Sequence, residues 1–164
     1  MHRQSGFTLI ELAVATAIIA IVSVIAIPGM ISWVSNSRVN ASARDIVACI
    51  QRARIEAVKQ NRFVVVTFDA DDNDVYDGSF IAYVDDGQGA GVAANWNQDG
   101  TERTVYSGQL RPGVNLSAIS LGTQVDETRF NARAMPSHTG PIRLTNSRGH
   151  TVTITLGSGG IPTI

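Results

Sequence analysis

Residues 6–27 read GFTLIELAVATAIIAIVSVIAI, and this stretch decides how the rest of the chain must be organised. The 21 residues from Phe7 to Ile27 form an apolar run in which Glu11 is the only ionisable side chain. As a helix, with a rise of about 1.5 Å per residue, the run would extend about 30 Å, which is the thickness of a bilayer core. A carboxylate is unfavourable in hydrocarbon, so we expect Glu11 to have a partner of opposite charge.

The segment before the apolar run is short, polar and positively charged. It reads MHRQSG, and Arg3 together with the α-amino group places it in the cytoplasm by the positive-inside rule. A secretory signal does not fit, because the apolar run is too long and no A-x-A cleavage pattern follows it. Cleavage after Gly6 would instead give Phe7 a new cationic amine, four residues from Glu11. That amine, from the same chain or a neighbouring one, is the expected partner of the carboxylate.

Residues 6–12, GFTLIEL, resemble the processing site of the type IV pilin and type II secretion pseudopilin superfamily. The resemblance implies cleavage between Gly6 and Phe7, methylation of the Phe7 amine, a role for Glu11 in filament assembly, and a helix kink at Pro28. A plain membrane anchor is the alternative, but it leaves this combination of residues unexplained. Residues 42–60, SARDIVACIQRARIEAVKQ, are similar to the minor-subunit group called GspH/FimT, in which a helix leads into a β-rich domain.

The predicted fold class is α+β and pilin-like, with a long membrane-anchored N-terminal helix, kinked near Pro28, packed on a mostly antiparallel β-sheet domain. The segments are a cytoplasmic leader peptide at 1–6, the transmembrane half of the helix at 7–27, its amphipathic half at 28–61 and a periplasmic β-rich globular domain at 62–164. About 135 residues remain after the leader and the membrane span, which is enough for one small core.

The second half of the helix carries a single apolar stripe at helical spacing, which we expect to pack on the sheet. A coiled-coil seam is the competing interpretation, but the stripe covers fewer than three heptads. Val47 and Val58 are expected to widen the stripe, and Asn61 is expected to end the helix. The stripe consists of Val39, Ala43, Ile46, Ile50, Ala53 and Ala57.

Beyond Arg62 the pattern changes to β-branched and aromatic runs bounded by Asp, Asn and Gly, which predicts strands. A hairpin turn is expected at 146–149, where the sequence is NSRG. The glycine-rich tail at 157–164 is expected to be loosely held. The predicted strands are 63–68, 80–84, 103–107, 114–119, 128–130, 142–145 and 150–156.

Two acidic or glycine-rich loops require separate interpretation. Asp69, Asp71 and Asn73 have the oxygen spacing of an EF-hand loop, but Asp74 and Phe80 stand where that loop needs glycine and glutamate. Aspartate-rich turns are common for their turn chemistry alone, so we expect no cofactor, with calcium at these three residues as the alternative. The loop from 85 to 101 carries Trp96, which either offers a contact site or folds back onto the sheet.

The composition excludes several functions. The net charge is −1 and no basic cluster is evident, so a nucleic-acid partner is not expected. Cys49 is the only cysteine and is expected to be a small buried residue. His138 is expected to lie in a loop, and the chain contains no hydrolase or phosphate-binding motif, so we do not expect an enzyme.

The resemblance therefore implies a minor pseudopilin, a structural and assembly subunit of a type II secretion pseudopilus. The alternative is a minor pilin of a type IV pilus, with a role in assembly, DNA uptake or adhesion. The expected partners are other pilin or pseudopilin subunits and the prepilin peptidase/methyltransferase. The expected location is the bacterial inner membrane, crossed once, with the C-terminal domain in the periplasm and assembly into a periplasmic or surface filament.

Overall fold

The structure is a computed structural model that describes residues 8–68, 78–98, 101–122 and 126–164. The first element of the described residues is a 52-residue helix, α1 (Leu9–Gln60). By its internal contacts the chain divides into two compact units, one ending at Ser35 and the other comprising Asn36–Ile164. Pro28 lies inside α1, whose helical assignment continues on both sides of it. The kink at Pro28 stays a prediction.

The strands form two four-stranded sheets in the described part of the chain, where a single sheet was expected. One sheet has the order β3-β2-β1-β5 and the other has the order β4-β6-β7-β8, with every pairing between these strands antiparallel. A short 3-10 helix, Gln88–Ala90, lies between β2 and β3. The strands are β1 (Phe63–Thr67), β2 (Ser79–Asp85), β3 (Thr104–Gln109), β4 (Val114–Ile119), β5 (Glu127–Phe130), β6 (Gly140–Asn146), β7 (Thr151–Leu156) and β8 (Pro162–Thr163).

The predicted stripe of α1 is confirmed, because all six of its residues are fully buried in the core. Ser42 and Cys49 are buried beside them. The expectation for Val58 is wrong, since its side chain is 52% exposed, whereas Val47 is partly buried against the core. The core continues into both sheets through the inward-facing residues of the strands, among them Val64, Val66, Ile142, Leu144 and Ile154.

Polar contacts fix the buried half of α1 to the strands and turns around it. The Ser42 hydroxyl accepts a hydrogen bond from the Arg111 amide at 3.0 Å. The Asn146 side-chain amide donates to the side-chain oxygen Oδ1 of Asn36 at 3.0 Å, and the Arg38 guanidinium donates to the backbone carbonyl of Pro112 at 3.2 Å. The first two bonds satisfy polar groups of Ser42 and Asn146 that burial would otherwise leave without partners.

Asn61 ends α1 as predicted. Its φ of 55° is left-handed, its amide donates to the Val58 carbonyl at 3.3 Å, and the Arg62 amide donates to the Ala57 carbonyl at 3.2 Å. This pair of bonds is the Schellman pattern, which satisfies the last free carbonyls of a helix.

The hairpin between β6 and β7 is also confirmed. Gly149 has a φ of 81° and its amide donates to the Asn146 carbonyl at 3.0 Å. The Asn146 side-chain oxygen accepts hydrogen bonds from the amides of Arg148 and His150, both at 3.0 Å. A buried asparagine therefore organises the turn and also contacts α1.

The expectation of a loosely held tail is wrong. The amide of Gly160 donates to the Gly157 carbonyl at 2.9 Å, and the turn lets β8 pair with β7. Gly160 has a φ of 73°, and a Cβ there would lie 2.5 Å from the Ala134 carbonyl oxygen. Both the left-handed turn and the close approach of the Ala134 carbonyl therefore require glycine at this position. Pro162, in β8, is buried.

Candidate assembly site on the N-terminal helix

The first half of α1 presents apolar side chains to its surroundings on every side. Leu9 is 87% exposed, Val24 is 74% exposed and Ile25 is 77% exposed. Within the described residues, α1 is the one helix long and apolar enough to cross a membrane, and none of its apolar window is buried in the chain. Exposed apolar surface of this extent marks an interaction with lipid or with other proteins.

Glu11 lies in the first turn of α1 and forms a capping box with Thr8. The Thr8 hydroxyl accepts a hydrogen bond from the Glu11 amide at 3.3 Å. In return, Glu11 Oε2 accepts hydrogen bonds from the Thr8 amide and the Thr8 hydroxyl, both at 2.8 Å. The two residues thus satisfy donors that every helix leaves free at its start.

The capping box holds the carboxylate at a defined place in a segment that otherwise lacks charge. Both hydrogen bonds from Thr8 are accepted by the same carboxylate oxygen, Oε2. The helix dipole also favours a negatively charged group beside the helix N-terminus. The sequence interpretation missed this contact, although the signal was present as the Thr-x-x-Glu spacing of residues 8–11. Glu11 therefore has a local structural role in addition to the role expected for it.

The two hydroxyl side chains deeper in the apolar run are satisfied within the helix. The Thr16 hydroxyl donates to the carbonyls of Leu12 and Ala13, both at 3.0 Å, and the Ser23 hydroxyl donates to the Ile19 carbonyl at 2.7 Å. Bonds of this kind let a polar side chain enter an apolar environment without an unsatisfied donor. These residues are compatible with the membrane span predicted for 7–27.

Several of the residues predicted to be functional fall outside the described part of the chain. Gly6 and Phe7, the expected cleavage pair, lie before Thr8. The candidate calcium ligands, Asp69, Asp71 and Asn73, lie in the gap at 69–77. Among the residues that the structure does describe, no group of three or more His, Cys, Asp or Glu side chains is placed to hold a metal ion.

The loop after β2 is fastened to the globular unit by buried carboxylates. The fully buried side chain of Asp85 accepts hydrogen bonds from the amides of Ala94 and Trp96. Glu102 accepts from the amides of Asp86 at 2.9 Å and Gly87 at 2.7 Å. Carboxylates that accept several amide bonds can be buried without the usual penalty.

Trp96 folds back onto the globular unit, which decides between the two interpretations of this residue. The Arg129 guanidinium lies 4.4 Å from the Trp96 ring centroid and 4.3 Å from that of Phe63, between the two rings. His138, a loop residue as expected, lies 5.2 Å from Trp96 on centroids. The cation–π and ring contacts of Trp96 therefore hold the loop against the globular unit.

Two ionisable groups on the second half of α1 have shifted pKa values. Burial raises the pKa of the Cys49 thiol to about 12, which makes it inert and confirms the expected buried residue. The pKa of Glu56 is lowered, first because the Gln60 side chain donates to it and then because Arg103 and Lys59 lie close. Glu56 thus connects the end of α1 to Arg103, just before β3.

The comparisons with known proteins agree with this geometry. Residues 42–160 match the family described as "Type II transport protein GspH", and residues 1–27 match the prokaryotic N-terminal methylation motif. A fimbrial protein of Pseudomonas aeruginosa is 31% identical over 106 residues, which cover 64% of this chain and 68% of the relative.

Two solved structures share the fold. The type IV minor pilin FimU of Pseudomonas aeruginosa has a TM-score of 0.56 at 15% identity, over 78% of this chain and 88% of its own. The minor pseudopilin EpsH, from the type 2 secretion system of Vibrio cholerae, has a TM-score of 0.54 at 13% identity, over 77% of this chain and 94% of its own. With the GspH match covering most of its length and a methylation motif at its start, the chain belongs to the GspH family of the type IV pilin and pseudopilin superfamily.

Proposed function

We propose that this chain is a minor pseudopilin, a structural subunit of a type II secretion pseudopilus that packs into the filament through α1. The observation that carries the proposal is the uncovered apolar half of α1, with one carboxylate held at its first turn. Such a helix needs lipid before assembly and other helices after it. The family is one of structural subunits, and we propose no catalytic role.

In this proposal a prepilin peptidase cuts between Gly6 and Phe7, and the new Phe7 amine is methylated. The amine then stands one residue before Thr8, whose amide and hydroxyl hold the Glu11 carboxylate. In the filament, Glu11 pairs with the Phe7 amine of an adjacent subunit. In low dielectric an unpaired charge is strongly penalised, so a matched pair sets the register of neighbouring helices.

The proposed location follows from the same helix. Residues 1–6 are the cytoplasmic leader, 7–27 cross the inner membrane, and the globular domain lies in the periplasm. There the domain decorates or caps the filament. Its long loop is fastened by Asp85, Glu102 and Arg129, so it presents a preformed surface to neighbouring subunits.

A type IV minor pilin is the second candidate function. The 31% identity to a fimbrial protein and the fold shared with FimU favour it, while the GspH description and the fold shared with EpsH favour secretion. Both machines use the same kind of helix and leader. Deletion of the gene in the native host separates them, since a pseudopilin is needed for export of secreted enzymes and a minor pilin is needed for surface pili.

Mass spectrometry of the protein from its native membrane tests processing. We expect the mature chain to begin at Phe7 and to carry one added methyl group on its amine. A Gly6→Ala variant should keep its first six residues, because the peptidase needs the smallest side chain there. A native chain that still carries residues 1–6 would contradict the proposed function for both machines.

A further inference from the structure

The exposed apolar surface of α1 extends beyond the segment predicted to cross the membrane. Met30 is 67% exposed, Ile31 is 51% exposed, Trp33 is 69% exposed and Val34 is 36% exposed. From Leu9 to Val34 the helix has 26 residues, or about 39 Å at its usual rise. That length exceeds the hydrocarbon core of about 30 Å but fits within about 40–45 Å for the bilayer with its headgroup layers.

The extra residues differ in pattern from the span before them. At about 100° per residue, Ile27, Met30, Ile31 and Val34 fall within one arc of about 100°, and Trp33 widens this arc to about 160°. Gly29, Ser32 and Ser35 lie on the remaining arc. The segment therefore has an apolar side and a polar side, whereas residues 9–27 present apolar side chains on every side, with Glu11, Thr16 and Ser23 as the polar exceptions. An amphipathic turn at the end of a membrane span fits the boundary between hydrocarbon and water.

The side chains that make up the apolar side favour lipid over a neighbouring helix as the occupant. Packing between membrane helices favours small residues that let the backbones approach closely. Here the exposed residues are large, and one is a tryptophan, whose apolar ring and N–H donor favour the headgroup level. Polar residues follow directly after this segment. The side chain of Asn36 is hydrogen-bonded to that of Asn146, and the Arg38 guanidinium is hydrogen-bonded to the Pro112 carbonyl.

We propose that residues 28–35 form an interfacial segment in the membrane-resident subunit, with Trp33 as the residue that fixes the depth of α1 at the headgroup layer. The inference rests on the proposed function only in requiring that α1 is inserted in a bilayer. It adds a lipid-binding surface to the assembly surface described above. It also places the end of the membrane-embedded part of α1 near Val34, seven residues beyond Ile27.

Tryptophan fluorescence in vesicles measures this depth directly, because the chain has only two tryptophans. A Trp96→Phe variant of the full chain leaves Trp33 as the single fluorophore. It is reconstituted into phosphatidylcholine/phosphatidylglycerol vesicles whose acyl chains are brominated either close to the headgroup or close to the methyl end. A matched variant, Trp33→Phe with Trp96→Phe and Ile18→Trp, reports the depth of the middle of the span.

We expect Trp33 to lose more fluorescence with the shallow bromines, and the tryptophan at position 18 to lose more with the deep ones. If deep bromines quench the tryptophan at position 18, and Trp33 is either quenched by deep bromines as well or not quenched at all, the interfacial segment is overturned. Membrane insertion would still be supported by that result. Shallow quenching of both would mean that the helix lies on the surface. That result, or the absence of quenching in both, would overturn insertion and the proposed function with it.

Discussion

Glu11 combines a local and an intermolecular role, and the two can be separated by substitution. In this chain the carboxylate closes the capping box with Thr8, and in the proposed filament it neutralises a neighbour's amine. Glutamine keeps an acceptor oxygen for the Thr8 amide but carries no charge. We therefore predict that Glu11→Gln and Glu11→Ala both enter the membrane, and that both reduce incorporation into filaments by about tenfold or more, since a buried amine would lack its counter-charge.

Immunoblots of membrane and sheared-filament fractions measure this incorporation. Thr8→Ala is the matched control, because it removes the hydroxyl contacts and keeps the charge of Glu11. We expect Thr8→Ala to assemble. Normal assembly of Glu11→Gln beside failure of Glu11→Ala would show that the cap matters and the charge pair does not.

Glu56 is expected to make the stability of the globular unit depend on pH in the acidic range. Its pKa is lowered in the folded state by the Gln60 side chain, and also by Arg103 and Lys59. A group with a lowered folded pKa stabilises the fold above its unfolded pKa, about 4.3 for glutamate, and loses this contribution as the pH falls through the folded value. We predict that Glu56→Gln lowers the stability at pH 7 and that the difference from the native chain shrinks towards zero below about pH 4.

Thermal unfolding of the full chain in detergent, at neutral and acidic pH, measures this difference. Arg103→Gln removes one of the charged partners and should reproduce part of the same pH dependence. If the difference in thermal stability between Glu56→Gln and the native chain stays constant from pH 7 to pH 3, the assignment of a lowered pKa to Glu56 is contradicted.

At the scale of elements, the sequence was most informative where a local period repeats. The buried stripe of α1 could be predicted because each of its residues recurs at helical spacing, and strands β1 to β7 could be predicted from their β-branched runs. Val58 was wrongly included, since it stands about 100° round the helix from the centre of the stripe. The capping box of Thr8 and Glu11 could also have been predicted, from the Thr-x-x-Glu spacing of these residues.

Features that depend on distant pairing could not be predicted. The division into two sheets rests on pairings such as β1 with β5, which are far apart in the chain. The docking of Trp96 depends on Arg129, a residue with no local signal for this role. The tail was misjudged because its glycines suggest flexibility, whereas Gly157 and Gly160 form the turn that brings β8 back to β7.

The packing of α1 allows a matched pair of substitutions on the same helix. Ile46 is fully buried in the core, and Ile55 is 65% exposed. We predict that Ile46→Ala lowers the free energy of unfolding by about 2–5 kcal/mol through lost burial and a residual cavity. Ile55→Ala should change it by no more than about 0.5 kcal/mol.

Labelling of the Cys49 thiol measures these changes in the full chain. Cys49 is buried and its pKa is raised to about 12, so it reacts only when the domain opens. Ile46→Ala should increase the labelling rate strongly, and Ile55→Ala should leave it close to that of the native chain. Equal rates for the two variants would contradict the assignment of a buried and an exposed face to α1.

At the scale of the whole molecule, the two compact units meet different demands. The unit that ends at Ser35 buries none of the apolar window of α1, and in the proposed function lipid or other subunits cover this surface. Among the described residues, those of the hydrophobic core all lie in the unit Asn36–Ile164, from Val39 to Leu156. It also contains the polar contacts that fasten α1 to the strands, beginning with the bond between Asn36 and Asn146.

We therefore predict that a fragment comprising Asn36–Ile164 folds without detergent, is monomeric, and unfolds in one cooperative transition. Light scattering and near-ultraviolet circular dichroism during thermal unfolding measure this behaviour. A fragment starting at Arg44 is the control, because it lacks Val39, Ser42 and Ala43, which are fully buried, and it should be markedly less stable. If the longer fragment aggregates or melts without cooperativity while the full chain in detergent does not, residues before Asn36 contribute to the core, and the division at Ser35 does not describe how the protein is stabilised.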